Sequence, residues 1–293
     1  MSFRRGWLGL ILAAVMLTAF SGCASKENDA LPPVVTKGLP SGEKVSSTIV
    51  SGGFTFSIYR TYAEVTGYSG SEAELVIPES AAGVPVRLIG ESSFQNKTFL
   101  KKVTLPSGTR VIDRFAFDGC ASLSEVVFND GLESVSDYAF RNSGLTVLEL
   151  PDSVAGIGKY SFYACRIGSL TIPASVSALG KYAFYGCTEL KTITFCPRLA
   201  EIGERVFYNC TSLTELVIPK TVKKLEAYAF SSCTSLVRIV IPAETESLGE
   251  GVFQDCPALT IYAPAGSAAE KSAKRNGYRF EAVDYDAAAG AAS

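Results

Sequence analysis

The chain has 293 residues, 47% of them hydrophobic, and a formal net charge of −2. That near-neutral balance removes a global electrostatic reason to expect nucleic acid. The chain contains no histidine, which excludes Ser-His-Asp and Cys-His catalytic arrangements and every His-containing metal site.

The first element is a targeting segment. Arg4 and Arg5 precede an apolar run from Trp7 to Phe20, and Ser21, Gly22 and Cys23 follow. A positive start, an apolar middle and small residues at the exit describe a secretory signal. The run is short for a membrane span, which needs about 20 residues. Phe20-Ser21-Gly22-Cys23 resembles the lipobox of bacterial lipoproteins, with Phe20 where that family usually has Leu. The resemblance implies cleavage before Cys23 and a diacylglycerol on its thiol. An ordinary signal peptide cut elsewhere, or an uncleaved anchor, is the alternative reading. The expected order is a signal peptide over 1–22 and a lipid-anchored flexible tether over 23–46, rich in Pro, Gly, Ser and Lys. Buried methylenes contribute about 0.8 kcal/mol each, so acyl chains on Cys23 would hold the chain at a membrane.

From residue 47 onward one unit is copied. Phe94, Phe117, Phe140, Phe162, Phe184, Phe207, Phe230 and Phe253 stand 22 or 23 residues apart. An aliphatic residue lies five positions before each, from Ile89 to Leu248. Leu or Ile follows each Phe by six positions, or by five in the two shorter units. Alternating segments such as Leu123-Ser-Glu-Val126-Val-Phe128 predict short strands, and Pro106, Pro151, Pro173, Pro219 and Pro242 close them because proline has no amide to continue a ladder. Units this small cannot bury their own apolar faces, so the copies must stack as a solenoid with parallel strands and a continuous internal Phe column.

The units L-x-x-[VIL]-x-[IFL]-P…V-x-x-[IL]-G-x-x-A-F-x-x-C resemble BspA-type leucine-rich repeats, also called the Treponema pallidum type. The resemblance covers residues 47–281 and implies a leucine-rich-repeat solenoid of about eight units with short parallel strands. It implies an N-terminal strand cap around Tyr62–Ser69, extra residues around Ala81–Pro85 in the first unit, and a C-terminal helical cap between Ile261 and Tyr278. Residues 282–293 are expected to be a disordered tail.

Six cysteines, Cys120, Cys165, Cys187, Cys210, Cys233 and Cys256, stand three residues after the reference Phe, and Cys196 stands apart. In-register neighbours point the same way at the strand spacing, whereas a disulfide wants Cβ atoms about 3.8 Å apart. The expected reading is small buried residues with reduced thiols. A one-dimensional row is not a metal-ligand cluster, and no cofactor is expected.

Two sets of outward positions are candidates for contact with a partner. One is the strand face, carrying Thr171, Thr192, Thr194, Glu215, Val217 and Arg238, which reads either as an ordinary soluble sheet face or as a patch for a protein. The other is aromatic. Tyr138, Tyr160, Tyr182 and Tyr228, with Phe115, stand two before the Phe and read as repeat packing. Tyr163, Tyr185 and Tyr208 stand one after it in three consecutive units and read as a contact surface or as exposed stacking. Tyrosine is over-represented at interface hot spots. Phosphate-loop, nucleophile-elbow and dinucleotide motifs are missing from the sequence, and Ser41-Gly-Glu-Lys44 fits S-x-x-K only inside the tether. No enzyme is expected. The resemblance implies an exported bacterial surface lipoprotein that binds host matrix or neighbouring-cell proteins and meets the membrane through its lipid alone. The alternative is a scaffold facing the periplasm, or a self-assembling envelope protein.

Overall fold

The computed structural model describes Leu39 and residues 42–290. The signal segment, Cys23 and most of the tether lie outside the described residues. The described end of the tether is already engaged, since the Ser46 amide donates to the Ile58 carbonyl at 2.7 Å.

An antiparallel meander opens the fold: β1 (Ser47–Ser51), β2 (Phe54–Ile58) and β3 (Ala63–Tyr68). The first full turn holds β4 (Glu74–Val76), β5 (Ser80–Ala81) and β6 (Val84–Ile89). The extra residues expected in this unit form a two-residue hairpin between β5 and β6, with positive φ at Ala82 (49°) and Gly83 (78°), the requirement of a tight right-twisted hairpin. The later turns are built on one or two very short strands each. They are β7 (Lys102–Thr104) with β8 (Val111–Ile112), β9 (Glu125–Val127) with β10 (Ser134–Val135), β11 (Gly156–Ile157) alone, β12 (Ser169–Thr171) alone, β13 (Thr192–Thr194) with β14 (Glu201–Ile202), β15 (Glu215–Val217) with β16 (Lys224–Leu225), and β17 (Arg238–Val240) with β18 (Ser247–Leu248). The end holds β19 (Thr260–Ala263), α1 (Ala268–Asn276), β20 (Arg279–Ala282) and α2 (Tyr285–Gly290). Counting these flanking turns, the solenoid has about ten, so the expected eight units are its repeated middle.

Strand pairing between turns is parallel and in register: Lys102 faces Glu125, Glu215 faces Arg238, and Lys224 faces Ser247. The ladder of first strands is interrupted at residues 147–149. The turn before that segment is one of the two that are a residue shorter than the rest, and the segment arrives without a strand partner. A second seam separates β13 from β15, which share no ladder.

The third side of each turn is held by two left-handed residues. Two before the Phe, φ is between 51° and 62° in all eight units, from Ser92 to Gly251; two after it, from Asn96 to Asp255, φ is again positive. The later position is filled by Asn, Gly, Asp, Ala or Ser, mostly residues that enter this region at low cost. The alternation turns every second amide toward the next turn. Phe117 N–H donates to Ala139 O at 2.7 Å, and Phe184 N–H to Val206 O at 3.0 Å.

All eight reference Phe side chains are fully buried. Successive rings stack with centroids 5.0 to 6.1 Å apart, as the column predicted from sequence requires. Phe54 and Tyr68 cover its first ring at 6.5 and 5.8 Å, and Tyr278 closes the last edge-on at 5.9 Å. The closing helix is α1, capped by the Ser267 hydroxyl, which accepts the Glu270 amide, and ended by left-handed Gly277. The segment expected as a disordered tail does not trail away: Ala282 still pairs with Ala263 in β20, and residues 285–290 form α2.

The seven cysteines among the described residues are free and buried. Their thiols also make bonds that composition does not reveal. Cys120, Cys165, Cys187, Cys210, Cys233 and Cys256 each donate to the carbonyl of the Phe in the preceding unit, at 3.1 to 3.4 Å. Burial pushes the Cys120 and Cys165 thiols up to about 12 and Cys256 up to about 11, so the donating proton stays in place. Cys196, at the place that Pro106, Pro173 and Pro219 fill in other units, donates to Val176 O at 3.1 Å.

Candidate functional site

The most ordered part of the surface is a pair of side-chain columns flanking the buried Phe column. The first stands on the left-handed position two before each Phe. Phe115, Tyr138, Tyr160 and Tyr182 stack at 4.8, 4.9 and 4.5 Å. Arg205 occupies the next place, and its guanidinium lies 5.6 Å from the Tyr182 ring and 4.6 Å from the Tyr228 ring. A flat cation therefore substitutes for a ring, an exchange that a cation–π contact permits and an ammonium does not reproduce. Arg205 also donates to the Tyr182 hydroxyl at 2.8 Å and pairs with Glu204. A search for aromatic residues misses Arg205; its position two before Phe207 is the signal that identifies it.

The second column stands one after each Phe. Tyr163, Tyr185 and Tyr208 stack at 4.9 and 4.7 Å. In earlier units the same place holds Asp118 and Arg141, joined by two hydrogen bonds of 2.8 Å, and Gln95 donates to Asp118 at 3.0 Å. Burial opposes the Asp118 charge, but the bonds from Arg141 and Gln95 outweigh it and hold the carboxyl below its ordinary value. Arg141 lies 5.2 Å over Tyr138 and so ties the second column to the first.

The two columns touch. Tyr160 meets Tyr163 at 5.8 Å and Tyr182 meets Tyr185 at 6.0 Å. With Tyr208 they make a slab of five half-buried tyrosines. Ring faces are occupied by one another, so the slab presents edges and hydroxyls. Burial is the main cause that raises the Tyr160 and Tyr185 hydroxyls above the ordinary tyrosine value, with neighbouring tyrosines adding to it, so these two hydroxyls stay protonated and hydrogen-bonding at physiological pH.

The strand-face candidates separate into two groups. Thr192, Thr194, Glu215 and Val217 line one groove of about 630 Å³ at the β13–β15 seam, with Tyr285 as a wall. Thr171 is exposed beside them, paired through β12 with Thr194. Arg238 is not part of an open face. Its guanidinium donates to the Ala288 carbonyl at 2.6 Å and lies 5.1 Å from the Tyr262 ring. Among the described residues, no three Cys, Asp or Glu side chains gather as a metal-ligand group.

The profile of the BspA-type leucine-rich repeat region matches residues 87–166 and 155–270, in six copies. Among solved structures, the chain is similar to the leucine-rich repeat protein of T. pallidum, at 26% identity and a TM-score of 0.54, covering 81% of this chain and 100% of that one. It is also similar to a leucine-rich cell surface protein of Faecalibacterium prausnitzii, at 20% identity and a TM-score of 0.37, covering 78% of this chain and 97% of that one. A search of curated proteins finds no match. The chain belongs to the BspA-type leucine-rich repeat family, whose repeats form protein-interaction scaffolds rather than catalytic sites.

Proposed function

We propose that this chain is an exported, lipid-anchored surface protein that adheres to proteins of a host matrix or of neighbouring cells through the tyrosine slab. The slab carries this reading. Its rings are locked by stacking before any partner arrives, so little side-chain freedom remains to be lost on binding, and tyrosine supplies apolar area and a hydroxyl together. Unlike the Phe column, it is confined to a few consecutive units, so the scaffold does not require it. The Arg-led apolar run from Trp7 to Phe20, followed by Ser21-Gly22-Cys23, supports export and lipid anchoring. In the test, the chain is immobilised and offered matrix and cell-surface proteins. Tyr163→Ala, Tyr185→Ala and Tyr208→Ala combined should weaken capture of any bound protein at least tenfold with the solenoid still folded; unchanged capture sinks the slab as the contact face.

The alternative, a self-assembling envelope scaffold, is favoured by one observation. The edge strand β1 carries no charge, and Val50 on it is 72% exposed, features that leave an edge open to pairing. Protease treatment of intact cells separates the readings, because a periplasm-facing scaffold is degraded only after lysis.

A further inference from the structure

The last described residues return across the strand face instead of ending at the cap. The Val283 amide continues the β20 ladder to Ala263 O at 3.1 Å. The Asp284 carboxylate accepts the Ala287 amide at 3.0 Å and starts α2. Three contacts then fasten this strap to residues that are distant in sequence. The Tyr285 hydroxyl donates to Ile218 O at 2.9 Å, the Asp286 carboxylate lies 2.7 Å from the Lys220 ammonium, and Arg238 donates to Ala288 O. The Lys220 ammonium also sits 5.1 Å from the centre of the Tyr285 ring.

The fastening is specific in chemistry and weak in burial. No residue of α2 is buried, and the Lys220 and Asp286 side chains are 47% and 75% exposed. A solvated ion pair of this kind contributes little. Segments with few buried apolar contacts open most readily. The strap stands at the rim of the β13–β15 groove, and Tyr285 forms its wall. At that seam the strands share no ladder, so main-chain polar groups there are available in a way they are not between the paired turns. Lys191 stands at the same groove.

We infer that residues 284–290 are a displaceable intramolecular occupant of a peptide-docking site, and that the partner segment which replaces them is an acidic one bearing a tyrosine. The strap itself shows what the face recognises: a phenol hydroxyl directed at the Ile218 carbonyl, a carboxylate at Lys220, and a main-chain carbonyl at Arg238. The inference deepens the protein-binding reading and rests on it, adding a second contact face and a device that keeps this face closed. Covalent attachment gives the strap a high effective concentration, so a free segment with only the same contacts competes poorly. A partner that also fills the groove along Thr192 and Thr194 gains contacts the strap lacks.

The test uses the full chain and a fluorescein-labelled peptide of residues 283–290, Val-Asp-Tyr-Asp-Ala-Ala-Ala-Gly. In the released variant, Tyr285→Ala with Asp286→Ala, the peptide should bind at least tenfold more tightly than to the unaltered chain. Adding Lys220→Glu should reverse that gain. Equal affinity for the released and unaltered chains overturns the proposal. So does no polarisation change with either chain up to millimolar protein, or indifference to Lys220→Glu. Hydrogen exchange on the unaltered chain gives a reading independent of the variants. The amides of 286–290 should exchange at least a hundredfold faster than those of β17, and equal protection would make the strap a fixed part of the fold. The peptide assay needs no natural partner, so it can fail while capture through the tyrosine slab succeeds, and the reverse.

Discussion

Phe184 and Tyr182 are two residues apart in one turn, and each stacks on its counterparts in neighbouring units. Phe184 lies 5.3 Å from Phe162 and 5.6 Å from Phe207, and Tyr182 lies 4.5 Å from Tyr160. Phe184 is wholly buried, whereas Tyr182 is half-buried with its hydroxyl bonded to Arg205. The inner column is Phe in every unit. The outer one runs Ser92, Phe115, Tyr138, Tyr160, Tyr182, Arg205, Tyr228 and Gly251. Inside, volume selects the residue, because a smaller side chain leaves a cavity that the stacked turns cannot close. Outside, water can fill whatever a side chain leaves, so identity drifts while the left-handed backbone stays constant.

High pH should break the inner column first, and by the largest margin. The buried thiols are raised from an ordinary 9.0 to about 12 for Cys120 and Cys165 and about 11 for Cys256. Above pH 9 the unfolded chain loses thiol protons that the folded chain retains. Stability is therefore fully present below pH 9 and is lost as pH rises through the folded values. The loss is on the order of 1 kcal/mol per buried thiol for each pH unit in that window. Urea midpoints at pH 7.5 and pH 10 measure it, and equal midpoints contradict the burial of these thiols in the folded chain. Phe184→Ala is the next largest effect, at about 3–5 kcal/mol. A melting curve unchanged by that substitution removes the column from the core.

The same contrast explains what the sequence reveals and what it hides. The Phe column, the aliphatic positions and the caps are legible because burial repeats the same demand in each unit. The reduced state expected of the cysteines follows from their spacing, but their bond to the Phe carbonyl does not, since it depends on how one turn sits over the last. Positive φ two after the Phe is readable from Asn96, Asn142 and Asn209. At the place two before it, Phe115 and Tyr138 carry no propensity for such a backbone, and Arg205 hides among aromatics. Tyr163, Tyr185 and Tyr208 are legible as a column, whereas their contact with Tyr160 and Tyr182 requires the fold. The strap is the least legible feature. Asp284-Tyr-Asp-Ala-Ala-Ala-Gly290 has no apolar period, and what holds it, Ile218, Lys220 and Arg238, lies some 50 to 67 residues away.

The outer column can be probed where its two demands, ring stacking and left-handed backbone, are separable. Tyr182 has φ of 62°, a value that costs a residue with a Cβ roughly 1 kcal/mol. Tyr182→Ala removes the stack on Tyr160 and the guanidinium contact but keeps the backbone cost, for an expected loss of about 1–2 kcal/mol. Tyr182→Gly removes the same contacts and relieves the backbone, so it should be more stable than the Ala variant by roughly 1 kcal/mol, the reverse of the order in a right-handed turn. Gly251 already occupies this position at the end of the column, where a Cβ would lie 2.4 Å from Tyr228 Cε1, so the neighbouring ring favours glycine there in addition to the backbone cost that the other units bear. Matched urea titrations of the two Tyr182 variants decide the matter. If Ala equals or exceeds Gly, the outer column is held by its rings alone, and the backbone does not distinguish it from the inner one.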